Sequence, residues 1–553
     1  MIARESLRWN GWGRLGESMH MTRTREAALI AELGRRLGRT ITRAAEPAAL
    51  ESIKLPPTKL APDVLARLRA ACGEDGVCTS VTERVTHATG RSLPDLLRLR
   101  RGDLDAVPEV VLYPPDEGAI AAVLRIAADA QLAVIPFGGG SSVVGGVAPR
   151  CAPGQAGALS LDTTRLDRLV RIDAESCTAT LQAGIDGPSL EAALGARGYT
   201  LGHFPQSFEH STLGGWIATR SAGQQSDGYG TIDELLVAVR AVTPEGVLRT
   251  LEVPRSASGP EVKQLLLGSE GTLGVITEAT LRVRPRAARS DERGMLFRSF
   301  RDGARAVRAL ARADLGIAMA RLSDASETEL SLVLRHDPAR RIDPVAGALA
   351  LAERLGYGEG RCALLYGAEG DAGAVRMAMF RARALLLRHA GLPLGRGPGK
   401  SWRRDRFRTP YLRDWLLDHG VAVDTMETAL AWSRLEAGRD AIVRALGSAA
   451  ETHAGAGLAM AHLSHSYRDG ACLYFTVLYP VDPARDVAQW AAIKRDATEA
   501  ILSAGGTLTH HHGVGVDHQP WMTREKGVLG VEMLRGVKRA VDPRGLMNPG
   551  KLL

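Results

Sequence analysis

Three consecutive histidines, His510, His511 and His512, precede the tripeptide Gly-Val-Gly near the end of the chain. Imidazole rings exchange protons near neutral pH and also bind metals, so such a run suits acid–base catalysis or a metal site. A β-strand here would place His510 and His512 on one face. Because a metal site would require further carboxylate or cysteine ligands nearby, we favour catalysis and predict no metal.

Glycine-rich loops are the second feature suited to chemistry. The stretch VIPFGGGSSVVGGV, residues 134–147, is an apolar strand end that continues into three glycines and two serines. Backbone N–H groups and hydroxyls in such a loop can surround a pyrophosphate. No Gly-Lys-Ser/Thr follows and the G-x-G-x-x-G spacing is absent, so the loop is neither a Walker loop nor a Rossmann fingerprint.

Two further segments have the same character. Residues 203–236 contain paired glycines among small and hydroxylated residues, and residues 268–285, GSEGTLGVITEATLRVRP, lead from a glycine loop into a strand. Backbone without side chains can lie against a flat ring, and the hydroxyls and amides can donate to it. Three such loops separated by strands predict an extended cleft for a long ligand.

The composition narrows the class of protein. The chain has 553 residues and a net charge of +8, and its basic residues are mostly arginine. It lacks a lysine-rich run, so we predict no nucleic-acid partner, whereas arginine suits phosphorylated or carboxylated substrates. The six cysteines form no C-x-x-C pair, which is compatible with a reducing cytoplasm. Without a long apolar window we predict a cytoplasmic protein and leave peripheral membrane contact open.

The predicted elements divide the chain into four regions. Strand, helix, strand and glycine loop are predicted over 109–140, and a hairpin at Pro244-Glu245-Gly246. Strand-rich segments with few helices favour an α+β fold over a repeating βαβ pattern. The regions are an N-terminal helical region (1–105), a strand-rich domain (106–288), a second α+β domain (289–504) and a C-terminal segment that packs back onto an earlier domain (505–553).

Several motifs resemble a known family. PFGGGSSV, STLGGWIATRSAG and GSEGTLGVITEATLRVRP resemble the FAD-binding domain of the vanillyl-alcohol oxidase type flavoproteins. Within that group the chain resembles the alkyldihydroxyacetonephosphate synthases through RWNGWG (8–13), GHFPQSFEHSTLGGW (202–216), DRFRTPYLRDWLLDHGVAVDTMET (405–428), ACLYF (471–475) and HHHGVG (510–515). The resemblance implies a two-subdomain FAD-binding domain, an α+β substrate (cap) domain and a C-terminal segment near the flavin.

The resemblance implies FAD as the cofactor. No histidine or cysteine lies between Phe137 and Val144, so we expect no covalent link to the flavin there. The residues implied to cradle the pyrophosphate are Pro136, Phe137, Gly138, Gly139, Gly140, Ser141 and Ser142. Those implied to line the rest of the cofactor are Gln206, Ser207, Ser211, Thr212, Thr219, Arg220, Ser221, Ala222, Glu270, Gly271, Thr272, Leu273, Gly274, Val275 and Ile276.

Catalytic residues are implied in the same way. Tyr474, in ACLYF, is the implied acid/base near the flavin; its phenol, with a pKa of about 10, would need cationic neighbours to act as a base. The histidine run either supplies that charge or is itself the base. Arg321 is implied near the active centre and His203 at the head of the second FAD segment. From the residues alone, Tyr474 could be a core tyrosine and Arg321 a salt-bridged helix residue.

One position departs from the family. His462 stands where eukaryotic synthases carry an arginine thought to bind substrate. Histidine is shorter and often neutral, so it is a poorer phosphate clamp. Arg404, Arg406 and Arg408 provide alternative phosphate contacts, unless they are simply exposed surface charges.

Two reactions remain as hypotheses. The first exchanges the acyl group of 1-acyl-dihydroxyacetone phosphate for a fatty alcohol and requires a hydrophobic channel, which the helices of 290–500 could supply. The second is FAD-linked oxidation of a 2-hydroxy acid or alcohol, which His462 and His465 fit better. A flavin-binding or lipid-carrier protein without catalysis is disfavoured by Tyr474 and the histidine run. The expected partner is a small-molecule or lipid substrate, and a homodimer is left open.

Overall fold

The N-terminal part of the chain is mainly helical. The computed structural model describes residues 6–19, 21–335 and 344–553. The first elements are α1 (Arg23–Leu37), α2 (Pro62–Cys72), β1 (Val77–Cys78), α3 (Val81–Thr86) and α4 (Leu93–Arg101). A capping box of Ser92 and Asp95 starts α4, and Gly102 ends it in the left-handed conformation.

A small sheet with parallel strands follows. It combines β1 with β2 (Val110–Leu112), β3 (Leu132–Phe137) and β4 (Gly157–Asp162) in the order β1-β2-β4-β3, and α5 (Glu117–Asp129) connects β2 to β3. Strand β4 is parallel to both β2 and β3. This confirms the elements predicted over 109–140, and the first glycine loop leaves the sheet at the end of β3.

The second sheet is antiparallel. Its strands are β5 (Leu169–Asp173), β6 (Thr178–Gln182), β8 (Leu236–Thr243), β9 (Gly246–Arg249) and β10 (Val275–Arg282), in the order β5-β6-β10-β8-β9. The intervening elements are α6 (Gly187–Gly195), β7 (Tyr199–Thr200), α7 (Leu213–Thr219), α8 (Ser226–Tyr229), α9 (Ile232–Leu235) and α10 (Lys263–Leu266); β7 pairs with β11 (Arg284–Pro285). Thr243 pairs with Gly246, which confirms the predicted hairpin.

The third sheet has seven antiparallel strands in the order β15-β12-β14-β13-β17-β18-β16. The strands are β12 (Arg289–Phe297), β13 (Met319–Ser323), β14 (Cys362–Gly370), β15 (Leu392–Gly395), β16 (Val421–Ala431), β17 (Leu458–Ser466) and β18 (Gly470–Pro480). The helices are α11 (Phe300–Ala313), α12 (Ala325–Arg335), α13 (Pro344–Arg354), α14 (Ala372–Arg388), α15 (Gly397–Asp405), α16 (Thr409–Leu417), α17 (Trp432–Ala454), α18 (Asp486–Ser503) and α19 (Met522–Val541). The largest apolar cluster lies between this sheet and α11, α14, α17 and α18. The predicted α+β fold is confirmed.

The end of the chain returns to the first sheet. The Val134 N–H donates to the carbonyl of Leu546, and the Asn548 N–H donates to the carbonyl of Val134, at 2.8 and 2.9 Å. The Asn548 amide also donates to the carbonyls of Gly146 and Glu270. The last residues therefore join the first and third glycine loops.

The helices are amphipathic rather than uniformly apolar. The longest, α17, has 23 residues and includes Arg434, Arg439 and Arg444. Within the described ranges, no helix combines the length and the apolar composition needed to cross a bilayer.

Candidate functional site

A large cavity is bordered by segments of all three sheets. The loops before α7 and β10, the loop after β3, and strands β13, β16, β17 and β18 form its wall. Its volume of about 1040 Å³ is at the upper end of the range of about 300–1,000 Å³ that is usual for small-molecule pockets. The cavity therefore has room for an extended ligand.

Glycine is required where the first glycine loop meets the second. A Cβ atom at Gly138 would overlap the hydroxyl of Thr212, and one at Gly139 would overlap the carbonyl oxygen of His210. Gly140 has a φ of +68°, which favours glycine. The two loops thus meet through bare backbone and present peptide edges to the cavity, an arrangement that fits a pyrophosphate.

Most of the predicted cofactor-binding residues line this cavity. They are Pro136, Phe137, Gly138, Gly139, Gly140, Ser141, Ser142, Gln206, Ser207, Ser211, Thr212, Thr219, Ser221, Ala222, Glu270, Gly271, Gly274, Val275 and Ile276. Three residues of the same motifs do not. The Arg220 side chain donates to Gln264 instead, the Thr272 hydroxyl donates to the carbonyl of Ser269, and Leu273 lies in an apolar core. The side chains of these three are directed elsewhere, and their contact with the cofactor stays a prediction.

Two buried side chains support the glycine loops. The Glu270 carboxylate accepts the N–H groups of Val514 (2.6 Å) and Gly515 (2.7 Å), while burial raises its pKa to about 7. His203 does not line the cavity: its Nε2 lies 2.8 Å from the Ser221 hydroxyl, and burial lowers its pKa to about 3. The predicted role of His203 is therefore limited to supporting Ser221 from behind.

Strand register places the predicted catalytic residues side by side. His462 of β17 pairs with Tyr474 of β18, which pairs on its other side with Glu427 of β16. Cross-strand partners share one face of a sheet, so the three side chains form a row. The rings of His462 and Tyr474 stack with centroids 4.9 Å apart, and both line the cavity. Tyr474 is therefore not a core tyrosine.

The Tyr474 phenol is held in its protonated form. Burial raises its pKa to about 12, against the opposing effects of the hydrogen bond with Thr425 and the charge of Arg321. Glu427, its cross-strand neighbour, also raises this pKa. The lowered pKa required for a phenolate base is thus not found, and at neutral pH the Tyr474 hydroxyl keeps its proton.

Arg321 lies on strand β13 rather than on a helix. Its guanidinium is 2.8 Å from Glu327 and 3.3 Å from the Nδ1 atom of His462, which is 3.1 Å from the same Glu327 oxygen. Burial and Arg321 lower the pKa of His462, so this ring is neutral. Burial opposes ionisation of Glu327, but its contacts with His462 and Arg321 hold its pKa below its usual range.

The histidine run forms a bend, so the strand considered from the sequence is wrong. Its backbone wraps around one oxygen of Glu427, which accepts the N–H groups of His510 (3.0 Å), His511 (2.7 Å) and His512 (2.7 Å). The Thr509 hydroxyl donates to the same oxygen at 2.9 Å. Burial opposes ionisation of Glu427, but the electrostatic effect of His512 and His511, together with the His511 N–H bond, holds the pKa of this carboxyl well below its usual range.

The three histidine rings are neutral. Burial lowers the pKa of each of them. His511 and His512 line the cavity, whereas His510 lies behind them. The run therefore offers lone pairs to a substrate but does not give Tyr474 the positive charge suggested by the sequence.

Several side-chain atoms that could coordinate a metal ion lie close together in this cluster. His465, His510 and His511 form one group, and Glu427, His511 and His512 form another, with atoms within 4.8 Å. However, the Nδ1 atoms of His510 and His511 already lie 2.9 Å apart in a hydrogen bond. Glu427 accepts four donors through one oxygen. The cluster is thus organised as a hydrogen-bond network.

Four arginines from the segment 404–413 line the cavity: Arg404, Arg406, Arg408 and Arg413. Arg404 is largely exposed and pairs with Asp405 at 2.6 Å. The Arg406 guanidinium donates to Gln225 and lies over the Phe204 ring at 4.5 Å. Arg413, which lies in the motif of 405–428 but was not predicted as a phosphate contact, donates through its guanidinium to the carbonyl of Arg91.

Another part of the wall is apolar. It consists of Met21, Leu330, Leu334, Leu412, Leu416, Val423, Met460 and Leu478. All eight belong to one apolar cluster that α1 helps to close. We call this set the apolar section. Its members are far apart in the sequence, so no motif could identify them.

Comparison with known proteins places the chain in a family. Residues 108–252 match the model of an FAD binding domain and residues 293–552 that of the FAD linked oxidases, C-terminal domain. The alkyldihydroxyacetonephosphate synthase of Dictyostelium discoideum is 33% identical over 99% of this chain and 94% of its own. The chain belongs to the alkyldihydroxyacetonephosphate synthase family.

Solved structures agree with this assignment. The structure of an alkyldihydroxyacetonephosphate synthase matches this one with a TM-score of 0.86 at 30% sequence identity, and the match covers 100% of both chains. p-Cresol methylhydroxylase with substrate bound shares the fold, with a TM-score of 0.66 at 14% identity over 90% of this chain and 98% of its own. The predicted family and its FAD cofactor are confirmed, and the cradle of the first two glycine loops lies in the matching domain.

Replacing Gly139 by alanine should weaken FAD binding. The added Cβ would overlap the backbone carbonyl of His210, and overpacking of this kind costs about 1–3 kcal/mol, or about tenfold or more in affinity. The measurement is the Kd for FAD by flavin fluorescence quenching. Gly195→Ala is the matched control, because a Cβ there meets nothing within 4 Å. Equal affinity of the two variants would contradict the cradle.

Glu427→Gln should destabilise the protein in a pH-dependent way. Because the folded pKa of Glu427 lies below its usual value of 4.5, its contribution is complete above that pH and is lost as the pH falls. We expect the variant to be about 3 kcal/mol less stable near neutral pH. The difference in unfolding free energy from wild type, measured in urea, should shrink in acid. The exposed Glu436→Gln is the control, and a difference that grows in acid would refute this role.

Proposed function

We propose that this protein is an FAD-dependent alkyldihydroxyacetonephosphate synthase, which exchanges the acyl group of 1-acyl-dihydroxyacetone phosphate for a fatty alcohol. The observation that carries the proposal is the composition of the cavity wall. Beside the glycine cradle and the polar row it contains four arginines and the apolar section. A substrate with a phosphate at one end and an alkyl chain at the other fits such a wall.

The arginines of 404–413 are the proposed phosphate contacts. Guanidinium groups bind phosphate through paired N–H donors, and Arg408 and Arg413 line the cavity together with Arg404. His462 does not fill this role, because it is neutral and lies against Glu327 and Arg321. In this proposal, the histidine at position 462 in place of the family's arginine therefore does not remove phosphate binding.

The polar row handles protons. The neutral Tyr474 phenol donates a hydrogen bond to the departing carboxylate, and a neutral His511 or His512 ring accepts the proton of the incoming alcohol. Arg321 orients His462, which stacks on the phenol ring. When bound, FAD supplies a redox-active ring system for activating the dihydroxyacetone carbon.

Oxidation of a 2-hydroxy acid or alcohol is the second candidate. The match of residues 293–552 to the FAD linked oxidases favours it, and neutral histidines would equally accept a hydroxyl proton. A small hydroxy acid, however, leaves the eight side chains of the apolar section without a ligand. The synthase reaction therefore ranks first.

A product assay separates the two reactions. Purified holoprotein, kept anaerobic, should convert 1-acyl-dihydroxyacetone phosphate and hexadecanol to the alkyl ether and a free fatty acid, with the flavin oxidised at the end. Butanol should be a poorer substrate, because it fills little of the apolar section. Bleaching of the flavin by a 2-hydroxy acid, without any ether product, would overturn the proposal.

Tyr474→Phe should abolish most turnover and retain the flavin. Removing the hydrogen-bond donor to the departing carboxylate should lower kcat by about 100-fold or more, the usual range for losing one such donor. The readouts are ether formation and the ratio of flavin to protein absorbance. Tyr479→Phe is the control, since the Tyr479 hydroxyl is buried and has no hydrogen-bond partner among the described residues. Loss of flavin from Tyr474→Phe would indicate a structural role instead.

A further inference from the structure

The proposed reaction, on which this inference rests, releases a proton inside the cavity. Exchange of an ester acyl group for an alcohol yields a carboxylate and one proton at neutral pH: the alcohol O–H bond breaks as the ether bond forms, and the ester bond breaks. The histidines that accept this proton are 12–16% exposed at their side chains. A route from these rings to solvent is therefore needed for turnover.

A chain of hydrogen bonds leads from the cavity to the surface. His511 lines the cavity, and its Nδ1 atom lies 2.9 Å from Nδ1 of His510. The Nε2 atom of His510 lies 2.7 Å from the hydroxyl of Tyr467. Tyr467 follows strand β17, and 37% of the residue is exposed. We propose that His511, His510 and Tyr467 form a proton path from the cavity to solvent.

The path carries a proton outward in one of its two hydrogen arrangements, in which His511 donates to His510 and His510 donates to the Tyr467 hydroxyl. When a proton enters at the cavity side of His511, each group passes on its own proton, Tyr467 releases one to solvent, and no charge stays on the middle ring. This transfer leaves all donors reversed, so the rings and the hydroxyl reorient before the next turnover. The transfer requires neutral groups, and burial lowers the pKa of both histidines and raises that of the Tyr467 phenol.

Neighbouring contacts hold the three groups in place. Glu427 accepts the backbone N–H groups of His510 and His511. The His465 ring stacks on His510 with centroids 5.3 Å apart. The backbone of Tyr467 is fixed from both sides, since its N–H donates to Gly470 at 2.8 Å and its carbonyl accepts from Trp432 at 3.0 Å.

Variants that interrupt the path provide the test. For His510→Ala we expect kcat for ether formation to fall about tenfold, less than the loss from removing a direct acid–base group because water partly replaces the ring. Tyr467→Phe should give a smaller loss. KM for both substrates and the flavin content should stay unchanged, the solvent deuterium isotope effect on kcat should rise, and added imidazole should restore His510→Ala.

The controls are Tyr479→Phe and His453→Gln, a histidine on α17 that pairs with Asp496. Unchanged kcat in both path variants overturns the inference, and so does a lowered kcat without imidazole rescue or isotope effect, which indicates a structural role. If the wild type forms no ether, the proposed function is wrong and the inference falls with it. Ether formation by the wild type with unaffected variants refutes the path alone.

Discussion

The buried carboxylate of Glu427 is the interaction on which the arrangement of the site depends. One of its oxygens accepts Thr509 and three successive N–H groups, and this gathers the histidine run onto the third sheet. A carboxylate that is 1% exposed would be costly without such donors. Through register, the same residue is the neighbour of Tyr474. Strand pairing places the phenol beside Glu427, and the hydrogen bonds of its carboxylate bring the histidines to the same wall of the cavity.

A second buried carboxylate holds the other end of that segment. Glu270, from the third glycine loop, accepts the N–H groups of Val514 and Gly515. Burial raises the pKa of Glu270 despite its two backbone donors, whereas at Glu427 the electrostatic effect of His512 and His511 outweighs burial and lowers the pKa. Because burial opposes ionisation at both sites, the adjoining histidines decide the direction. The histidines are therefore positioned jointly by the sheet that carries Tyr474 and the loop that lines the flavin cradle.

Local sequence signals predicted the loops and the hairpin well, because glycine requirements and turn chemistry act over a few residues. They could not separate Arg220, Thr272 and Leu273 from their motif neighbours, since side-chain direction depends on packing. Glu427 lies in an apolar strand, and its place in the site can be recognised only from the strand pairing that puts it beside Tyr474. The apolar section joins helices and strands from distant segments, so no sequence window contains it.

In the proposed reaction, the neutrality of the phenol and the imidazoles is the property that lets this site transfer protons. Burial keeps the proton on Tyr474 and keeps protons off His511 and His512, so donor and acceptors coexist within one row at neutral pH. The charge of a substrate phosphate must then be balanced outside this row. The arginines of 404–413 lie on α15, on α16 and between these two helices, and not on the strands that carry the row. Separating anion binding from proton transfer allows each to be set without disturbing the other.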